Sequence, residues 1–506
     1  MAEESRGPWG SGYGLGLSTR TQVTGYQFLA RRTAMALTRW CVRMEVEPGR
    51  RQTLAVVASV SAALVGCLGA LLWSFISPSG QLNESPIIAD RDSGALYVRV
   101  GDRLYPALNL ASARLITGRP DNPHLVRSSQ IATLPHGPLV GIPGAPAEFS
   151  PQTPQTSSWL VCDTVATSTG VGAPSGVTVT LIDGSPDLSG HRRVLNSSDA
   201  VVLNYGGDAW VIRQGRRSRI DAMNRSVLLP LGLTPEQVSL ARPMSRALFD
   251  ALSVGPELVV PDVPNVGNPA SFPGAPGPVG TVIVTPQISG PQQYSLVLAD
   301  GVETLSPLVA QIMQNAGNPG STKPITVEPS ALAKMPVVNK LDLSAYPDTP
   351  LQVVDLRENP STCWWWERIA GESRSRVQVI TGPTIPISSA DVNKVVPLVK
   401  ADTTGCEADQ VYFGPNYANF IAVTGNNPAA QTTESLWWIT RAGARFGVDD
   451  TKDVRDALGL TGTPSLAPWV ALRLLPQGPM LSQGDALVQH DTLPMDMTPA
   501  ELVVPK

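Results

Sequence analysis

The longest run of hydrophobic positions spans residues 54–76 and contains no charged side chain. An α-helix needs about 20 such residues to cross a bilayer. Arg50 and Arg51 stand just before the run, and Pro78 stands just after it. The pattern therefore predicts a transmembrane helix that begins at Leu54 and ends at Ile76. The alternative, a buried core helix of a soluble fold, is disfavoured by the length of the run and by its flanks.

A helix with two unlike faces is predicted before this span, over residues 21–44. At 100° per residue, apolar side chains fall on one arc and arginines on another. The pattern fits two uses equally well. The helix could lie on the anionic inner leaflet, or it could dock on a cytoplasmic partner.

Residues 1–53 form a basic segment, with eight arginines against four acidic residues. Because positively charged flanks stay on the cytoplasmic side, we expect the amino end inside and residues 77–506 outside. The alternative of a cleavable signal peptide is disfavoured, because the charged leader is long and no Ala-x-Ala site follows the apolar run.

The outer part contains internal repeats. Trp210-Val211-Ile212 and Leu231-Gly232-Leu233-Thr234 recur as Trp437-Trp438-Ile439 and Leu458-Gly459-Leu460-Thr461. Two weaker copies begin near Leu96 and Tyr294. Each copy predicts a strand, a Gly/Asp turn, a second strand and a short helix. The predicted repeat domains are residues 85–122, 201–262, 280–330 and 431–490.

The two stretches between these repeats, 123–200 and 335–430, are interpreted as halves of one central β-rich domain. Val177–Leu181 and Arg376–Ile380 read as its strands. Proline- and glycine-rich linkers are predicted at 261–280 and 314–330. Residues 491–506 are a C-terminal tail. The predicted fold class is a membrane-anchored α+β protein, with one N-terminal transmembrane helix, a central β-rich core and four hairpin–helix repeat domains.

Composition narrows the function classes. Charged residues make up 16 % of the chain, with 45 Gly and 47 Pro, which favours a loop-rich, β-rich body. No basic stripe follows the span, so nucleic-acid binding is disfavoured. Cys41 and Cys67 fall in the cytoplasmic segment and the span. Cys162, Cys363 and Cys406 fall outside and allow one disulfide, whose pairing the spacing leaves open.

Catalytic motifs are not found in the sequence. A P-loop needs Gly-Lys within G-x-x-x-x-G-K-[ST], and no Gly-Lys dipeptide occurs. There is no G-x-S-x-G elbow, and the four histidines are scattered. We therefore expect no enzymatic activity, metal or cofactor. The tryptophans at 364–366 have two interpretations, an interface hot spot or a cluster packed beside a disulfide.

Several long motifs resemble one known family. They are TRTQVTGY at 19–26, DRDSGALYV at 90–98, LNLASARLI at 108–116 and GPLVGIPGAP at 137–146. Together with the order of basic leader, span, repeats and split core, they resemble EccB, the single-pass inner-membrane component of mycobacterial type VII (ESX) secretion systems. The resemblance covers nearly the whole chain.

The resemblance implies a structural subunit that anchors and organises the periplasmic side of an export channel. It implies a six-fold membrane complex with EccC (an FtsK/SpoIIIE-type ATPase), EccD, EccE and the mycosin protease, and self-association of the periplasmic domains. It also implies a Cys162–Cys363 disulfide, with Cys406 as the odd thiol. The two alternatives are a membrane-anchored ATPase, as the family is sometimes described, and a cell-wall-binding module.

The expected sites follow from these interpretations. The span is marked by Leu54, Gly66 and Ile76, where small residues such as Gly66 would let helices approach closely. The candidate residues for docking on a cytoplasmic partner are Tyr26, Phe28, Leu29, Arg31, Arg32 and Trp40.

Overall fold

The computed structural model describes residues 19–39, 48–76, 85–165, 176–317, 323–399 and 406–493. The chain divides into two compact parts, Met1–Ser79 and Gly80–Lys506. The first part holds two helices, α1 over Arg20–Arg39 and α2 over Pro48–Ile76. Helix α1 matches the prediction for 21–44 as far as residue 39, and residues 40–44 lie outside the described ones. Helix α2 begins six residues before the predicted span, at a proline, which suits the first helical position because its missing N–H would be unpaired there.

The second part is built from short strands and short helices. Its strands are β1 Ile87–Asp90, β2 Leu96–Val100, β3 Arg103–Pro106, β4 His124–Val126, β5 Leu139–Val140, β6 Thr156–Val165, β7 Val177–Asp183, β8 Arg193–Val194, β9 Asp199–Tyr205, β10 Asp208–Arg213, β11 Arg216–Ile220, β12 Arg242–Pro243, β13 Ser253–Val254, β14 Val282–Thr285, β15 Gln293–Val297, β16 Val302–Leu305, β17 Ile325–Thr326, β18 Gln352–Val353, β19 Ser361–Ile369, β20 Arg376–Gly382, β21 Val396–Pro397, β22 Gln410–Phe413, β23 Phe420–Thr424, β24 Leu436–Ile439, β25 Arg445–Val448, β26 Ser465–Pro468 and β27 Gln489–His490. Its helices are α3 Leu110–Thr117, α4 Ser128–Ile131, α5 Arg225–Leu228, α6 Pro235–Ser239, α7 Arg246–Ala251, α8 Pro307–Asn315, α9 Pro329–Leu332, α10 Lys452–Leu458, α11 Trp469–Leu472 and α12 Gln483–Ala486, with a 3₁₀ helix over Ser389–Lys394.

Four small sheets share one strand order. In sheet 1, strands β1, β2 and β3 are antiparallel neighbours, and β4 returns parallel to β1. The same order is found for β9–β12 in sheet 2, β14–β17 in sheet 3 and β23–β26 in sheet 4. In each sheet a later segment also runs parallel to the third strand, through β13 in sheet 2 and through single bridges at His136, Val337 and Gln477 in the others.

These sheets are larger than the predicted hairpin–helix copies. Strand β4 falls in the segment expected for the first half of the central domain, yet it pairs with β1. Strand β23 falls in the expected second half, yet it pairs with β24 and β26. Strands of three to five residues contain too few positions to display a periodic pattern, and their partners lie far along the chain.

A seven-stranded central sheet lies between these elements, in the order β21-β22-β7-β6-β19-β20-β8. Strands β6 and β19 are antiparallel neighbours in the middle, and each pairs on its other side with the strand that follows it in the chain. Strands from the two chain segments that separate the small sheets are therefore interleaved, because β22 of the second segment pairs with β7 and β8 of the first segment pairs with β20. The fold is thus a mixed α+β body that follows one apolar helix.

Each face of the central sheet has its own core. One face buries Trp159, Trp364 and Trp366 against α7 and α11. Trp364 and Trp366 are at most 1 % exposed, so the interpretation of these residues as an interface hot spot is wrong. Trp365 points to the other face, where its Nε1 donates to Ser158 Oγ. That other face buries the cysteine pair described below.

The small sheets share cores in pairs. Helix α3, which follows β3 of sheet 1, packs on α10 and shares a core with sheet 4, and α5 and α8 join sheets 2 and 3 in another core. Strand β27 pairs with β5, which brings residues 489–490 beside residues 139–140. The expected linker at 314–330 contains β17 and the start of α9, and the expected linker at 261–280 buries Phe272 and Val279. The described residues of both stretches are therefore parts of the folded body.

Candidate functional site

Helix α1 presents its predicted docking residues to solvent. Tyr26 is 78 % exposed, Leu29 is 67 % exposed and Phe28 is 47 % exposed. The guanidinium of Arg32 stacks over the Phe28 ring at 4.8 Å from its centroid, and Arg31 is exposed. Trp40, the sixth predicted residue, lies outside the described residues. The described side chains of α1 thus leave an apolar and cationic surface uncovered within the chain.

The predicted span coincides with the apolar part of α2. Among the described residues, one helix is long and apolar enough to cross a membrane, over Thr53–Leu72. Leu54 is 65 % exposed, and a Cβ placed on Gly66 would meet no atom within 4 Å. Ile76 is the last residue of α2, and its side chain lies outside the described ones. A helix with uncovered apolar side chains all round matches a lipid-facing segment.

Cys162 and Cys363 meet at the centre of the central sheet. They are register partners on β6 and β19, and their Sγ atoms lie 2.08 Å apart, a disulfide distance. Both side chains are buried. The half-buried Cys406 Sγ lies 3.6 Å from Nη1 of Arg246. The cysteine pair thus joins the two chain segments that build the central sheet.

Two carboxylates are buried in the same sheet. Asp163, next to Cys162, accepts hydrogen bonds from both N and Oγ of Ser245, each at 2.6 Å, at the start of α7. Asp183 accepts one from the backbone N of Ala418 at 2.9 Å. Burial raises the pKa of Asp163 to about 7 and raises the pKa of Asp183 as well. Asp163 thereby ties the central sheet to α7, the helix between β12 and β13 of sheet 2.

Two buried arginines occupy corresponding places in sheets 2 and 4. Arg217, on β11, lies 3.7 Å from the Phe249 ring centroid and donates to backbone carbonyls of Phe249 and Leu252. Arg445, on β25, lies between the rings of Trp437 and Trp469, at 4.7 and 5.0 Å. Its Nε donates to Leu475 O at 2.8 Å. Burial lowers the pKa of both guanidinium groups.

The helices next to these arginines are also linked by charge. Asp250 on α7 accepts from Arg473 Nη2 at 2.6 Å and lies 3.5 Å from Arg246 Nε. Arg473 directly follows α11. Ion pairs of this partly exposed kind contribute little energy but fix geometry. The Asp250–Arg473 ion pair therefore links α7 to the end of α11.

Sequence reasoning missed these buried charged residues. Trp210 and Trp437 marked the two matching copies, and an arginine follows each of them in the third strand of its sheet. Nothing local distinguishes those arginines from solvent-exposed ones, because each also needs an aromatic partner from a segment further along the chain, Phe249 on α7 or Trp469 on α11. Within the described ranges, no group of three or more His, Cys, Asp or Glu side chains is placed to hold a metal ion.

Comparison with known proteins connects this architecture to a family. Residues 15–495 match the family model described as type VII secretion system ESX-1, transport TM domain B. The chain is 83 % identical over 506 residues to a protein of Mycobacterium tuberculosis (strain ATCC 25618 / H37Rv) named ESX-5 secretion system ATPase EccB5, with all of both chains covered.

Solved structures agree with that match. A chain of an intact ESX-5 inner membrane complex superposes with a TM-score of 0.80 at 81 % identity, covering 98 % of this chain and all of that one. A chain of an EccB3 dimer from the ESX-3 core complex superposes with a TM-score of 0.70 at 33 % identity, covering 80 % of this chain and all of that one. The chain belongs to the EccB family of type VII secretion systems.

Proposed function

We propose that this chain is a structural subunit of an ESX-5-type secretion membrane complex, in which it organises the periplasmic side of the export channel. One observation carries the proposal: in the part of the chain that the structure describes, one lipid-compatible helix is followed by a body whose sheets are tied together by shared cores and by the Cys162–Cys363 pair. Such a body suits a scaffold. The ESX-5 assignment is supported by 83 % identity to the ESX-5 relative, against 37 % to an ESX-3 relative of Mycolicibacterium smegmatis.

The proposed topology follows from charge. Residues 1–53 lie in the cytoplasm, α2 crosses the inner membrane once, and the second part lies in the periplasm. Sheets 1–4, each with its following helices, are four copies of one repeat domain arranged on the central sheet. The shared strand order of the four sheets supports this interpretation.

The proposed partners are EccC, EccD, EccE and the mycosin protease in a hexameric complex. The uncovered surface of α1, including Tyr26, Leu29 and Arg31, would dock on a cytoplasmic partner. The periplasmic bodies would associate with one another. The dimer of the EccB3 relative supports self-association.

The experiment is extraction of the tagged full-length protein in mild detergent, followed by blue-native electrophoresis and identification of the co-purifying proteins. A large complex that contains the four named partners is the expected result, and migration as a free monomer would contradict it. The variant Leu29→Asp, on the exposed face of α1, should release cytoplasmic partners. Its matched control, Leu487→Asp in the second part, should retain them.

Orientation is tested separately by adding protease to intact spheroplasts. Digestion of a C-terminal tag, with an N-terminal tag protected, is expected. The reverse pattern would invert the proposed compartments.

ATP hydrolysis is the second candidate function, because the ESX-5 relative is named an ATPase. The sequence lacks the Gly-Lys pair of a P-loop, so such an activity would need another kind of nucleotide site. Hydrolysis by the purified full-length chain, abolished by a point substitution that leaves the fold intact, would favour this candidate. A third candidate, cell-wall binding, would be favoured by retention of the protein on purified peptidoglycan.

A further inference from the structure

A partly enclosed cavity lies beside the β10–β11 hairpin of sheet 2. Its volume is about 350 Å³, and its walls come from the hairpin, from residues 255–258 and from residues 344–351. The charged side chains among its lining residues are Arg213 and Arg216, and no carboxylate lines it. The cavity therefore presents positive charge without an acidic wall.

The two arginines stand directly opposite each other. Arg213 and Arg216 are register partners across the tight turn Gln214-Gly215. Both turn residues have positive φ, 50° at Gln214 and 74° at Gly215, as a type I′ hairpin turn requires. Like charges at directly opposed positions destabilise a sheet, so this pair opposes local stability. Locally unfavourable arrangements of this kind are expected at functional sites, where other interactions compensate for them.

The hairpin turn packs against the central sheet. A Cβ placed on Gly215 would lie 2.7 Å from Cγ1 of Val377 on β20, so the turn packs closely on the central sheet. Arg213 is half-buried, and its Nη2 donates to Ala345 O at 3.1 Å. These contacts keep the Arg213 guanidinium against the cavity wall. A guanidinium carries five N–H groups, so others remain to bind a ligand.

The arginines lack close acidic partners. No carboxylate oxygen lies within 4.0 Å of either guanidinium in the described segments. Beyond that distance, Asp348 interacts electrostatically with Arg213, and Asp342 interacts electrostatically with Arg216. Burial, and to a smaller extent the neighbouring Arg216, lowers the pKa of Arg213. An anion bound between the two guanidinium groups would compensate both for the burial of Arg213 and for its repulsion by Arg216.

Hydroxyl donors complete the lining. Ser218 lies two residues beyond Arg216 on the same face of β11, opposite Val211, and Ser344 lines the facing wall. Gly255 keeps space near Ser218, because a Cβ at that position would lie 2.6 Å from Ser218 Oγ. Two forked cations and two hydroxyls around a small cavity are the donors that a phosphoryl group uses.

We propose that Arg213, Arg216 and Ser218 form a binding site for a phosphoryl group, as free phosphate or as a phosphate monoester. The site would bridge sheet 2 and the segment 344–351 that leads into the second half of the central sheet. Occupancy would fasten that segment to the hairpin. The inference does not depend on the proposed secretion role.

The test is calorimetric titration of the full-length protein in detergent with inorganic phosphate, at ionic strength held constant with chloride. Saturable binding is expected for the wild type. Arg216→Gln should weaken it at least tenfold, and this exposed position makes misfolding a small risk. Arg216→Lys should weaken it less, because it keeps the charge and loses the fork. The matched control, Arg225→Gln at an exposed arginine shortly after β11, should bind as the wild type does.

Parallel titrations with glycerol 3-phosphate and with ATP distinguish the sources of the phosphoryl group. Tighter binding of either ligand, again weakened by Arg216→Gln, would identify a monoester or a nucleotide as the occupant. Equal heats for the wild type and Arg216→Gln with all three ligands would overturn the proposal. So would an equal loss in Arg225→Gln, because the binding would then reflect general surface charge.

Discussion

Cys162 and Cys363 are separated by 201 positions in the chain, yet they occupy directly opposed positions on the two middle strands of the central sheet. Sheet 2 and sheet 3 are both formed by residues that lie between the two cysteines. A bond at this point therefore closes a loop that contains about half of the body.

Loss of this bond should destabilise the body strongly. In the chain-entropy model, a cross-link around so long a loop stabilises the fold by about 5 kcal/mol. We expect the double variant Cys162→Ser/Cys363→Ser to unfold at clearly lower urea than the wild type, with the full-length protein in detergent. Cys67→Ser, in the span, is the control and should unfold as the wild type does. A double variant of unchanged midpoint would show that the bond contributes no stability.

Arg445 should be irreplaceable by lysine. Its guanidinium stacks between Trp437 and Trp469 while Nε donates to Leu475 O, and an ammonium group cannot do both. We expect Arg445→Lys to cost about 1–3 kcal/mol of unfolding free energy. Arg374→Lys makes the same charge-preserving substitution at an exposed position and serves as the control. Tryptophan fluorescence during unfolding measures both, and equal midpoints would contradict the stacking role.

Gly478 should not tolerate a side chain. A Cβ at this position would lie 2.2 Å from the Phe446 ring, and that ring belongs to the core that α3 shares with sheet 4. Overpacking of this kind costs about 1–3 kcal/mol. Gly462→Ala, in the same region, would meet no atom within 4 Å and is the matched control. Thermal unfolding should separate the two variants, and similar melting temperatures would show that the contact can relax.

Acidification should stabilise the body between about pH 7 and pH 4. Burial raises the folded-state pKa of Asp163 to about 7, while the hydrogen bonds from Ser245 oppose that rise and the nearby Asp409 adds to it. The pKa of an aspartate in the unfolded chain is about 4. The stabilisation that protonated Asp163 gives to the folded state is therefore complete below pH 4 and is lost as pH rises through about 7. The buried Asp183 acts in the same direction.

The variant Asp163→Asn isolates this effect. An amide can accept from Ser245 N and cannot ionise, so its unfolding temperature should vary less over pH 4–7 than that of the wild type. Asp491→Asn, at an exposed aspartate near the chain end, should keep the wild-type profile. A pH profile of Asp163→Asn that overlays the wild type would assign the dependence to other groups.

Below about pH 4 a second set of groups reverses the trend. Hydrogen bonds from Ser93 and Ser128 lower the pKa of Asp90 to about 2, and Lys340 lowers the pKa of Asp300. Their contributions are present above about pH 4 and are lost as pH falls through the folded-state pKa values. Stability should therefore pass through a maximum near pH 4.

Several helices and strands were predicted from local sequence patterns. The uncharged run from Leu54 predicted the helix that the structure places over Pro48–Ile76. Val177–Leu181 and Arg376–Ile380 were predicted as strands and lie within β7 and β20. The second copy was predicted to contain a short helix, and α10 lies there and ends at Gly459, whose φ of 76° is the left-handed conformation that glycine adopts at helix ends. These features depend on neighbours within a few residues, so a single chain displays them.

Other features required partners that are distant in the chain. The residues alone left the cysteine pairing open, and the register of β6 with β19 brings Cys162 to Cys363. No local pattern showed that Arg217 and Arg445 would be buried while Arg216 and Arg374 stay exposed. Nor did any pattern place β4 beside β1, or Arg213 and Arg216 around one cavity.

By itself, the sequence determined that one apolar helix follows a basic leader and that hairpin-bearing copies recur along the rest of the chain. The tertiary structure decided which sheets share a core, which charges are buried and which side chains face each other. The physical reason is that hydrophobic periodicity and turn chemistry act over a few residues. Burial, pKa and pairing are set by whichever distant segment packs against a side chain.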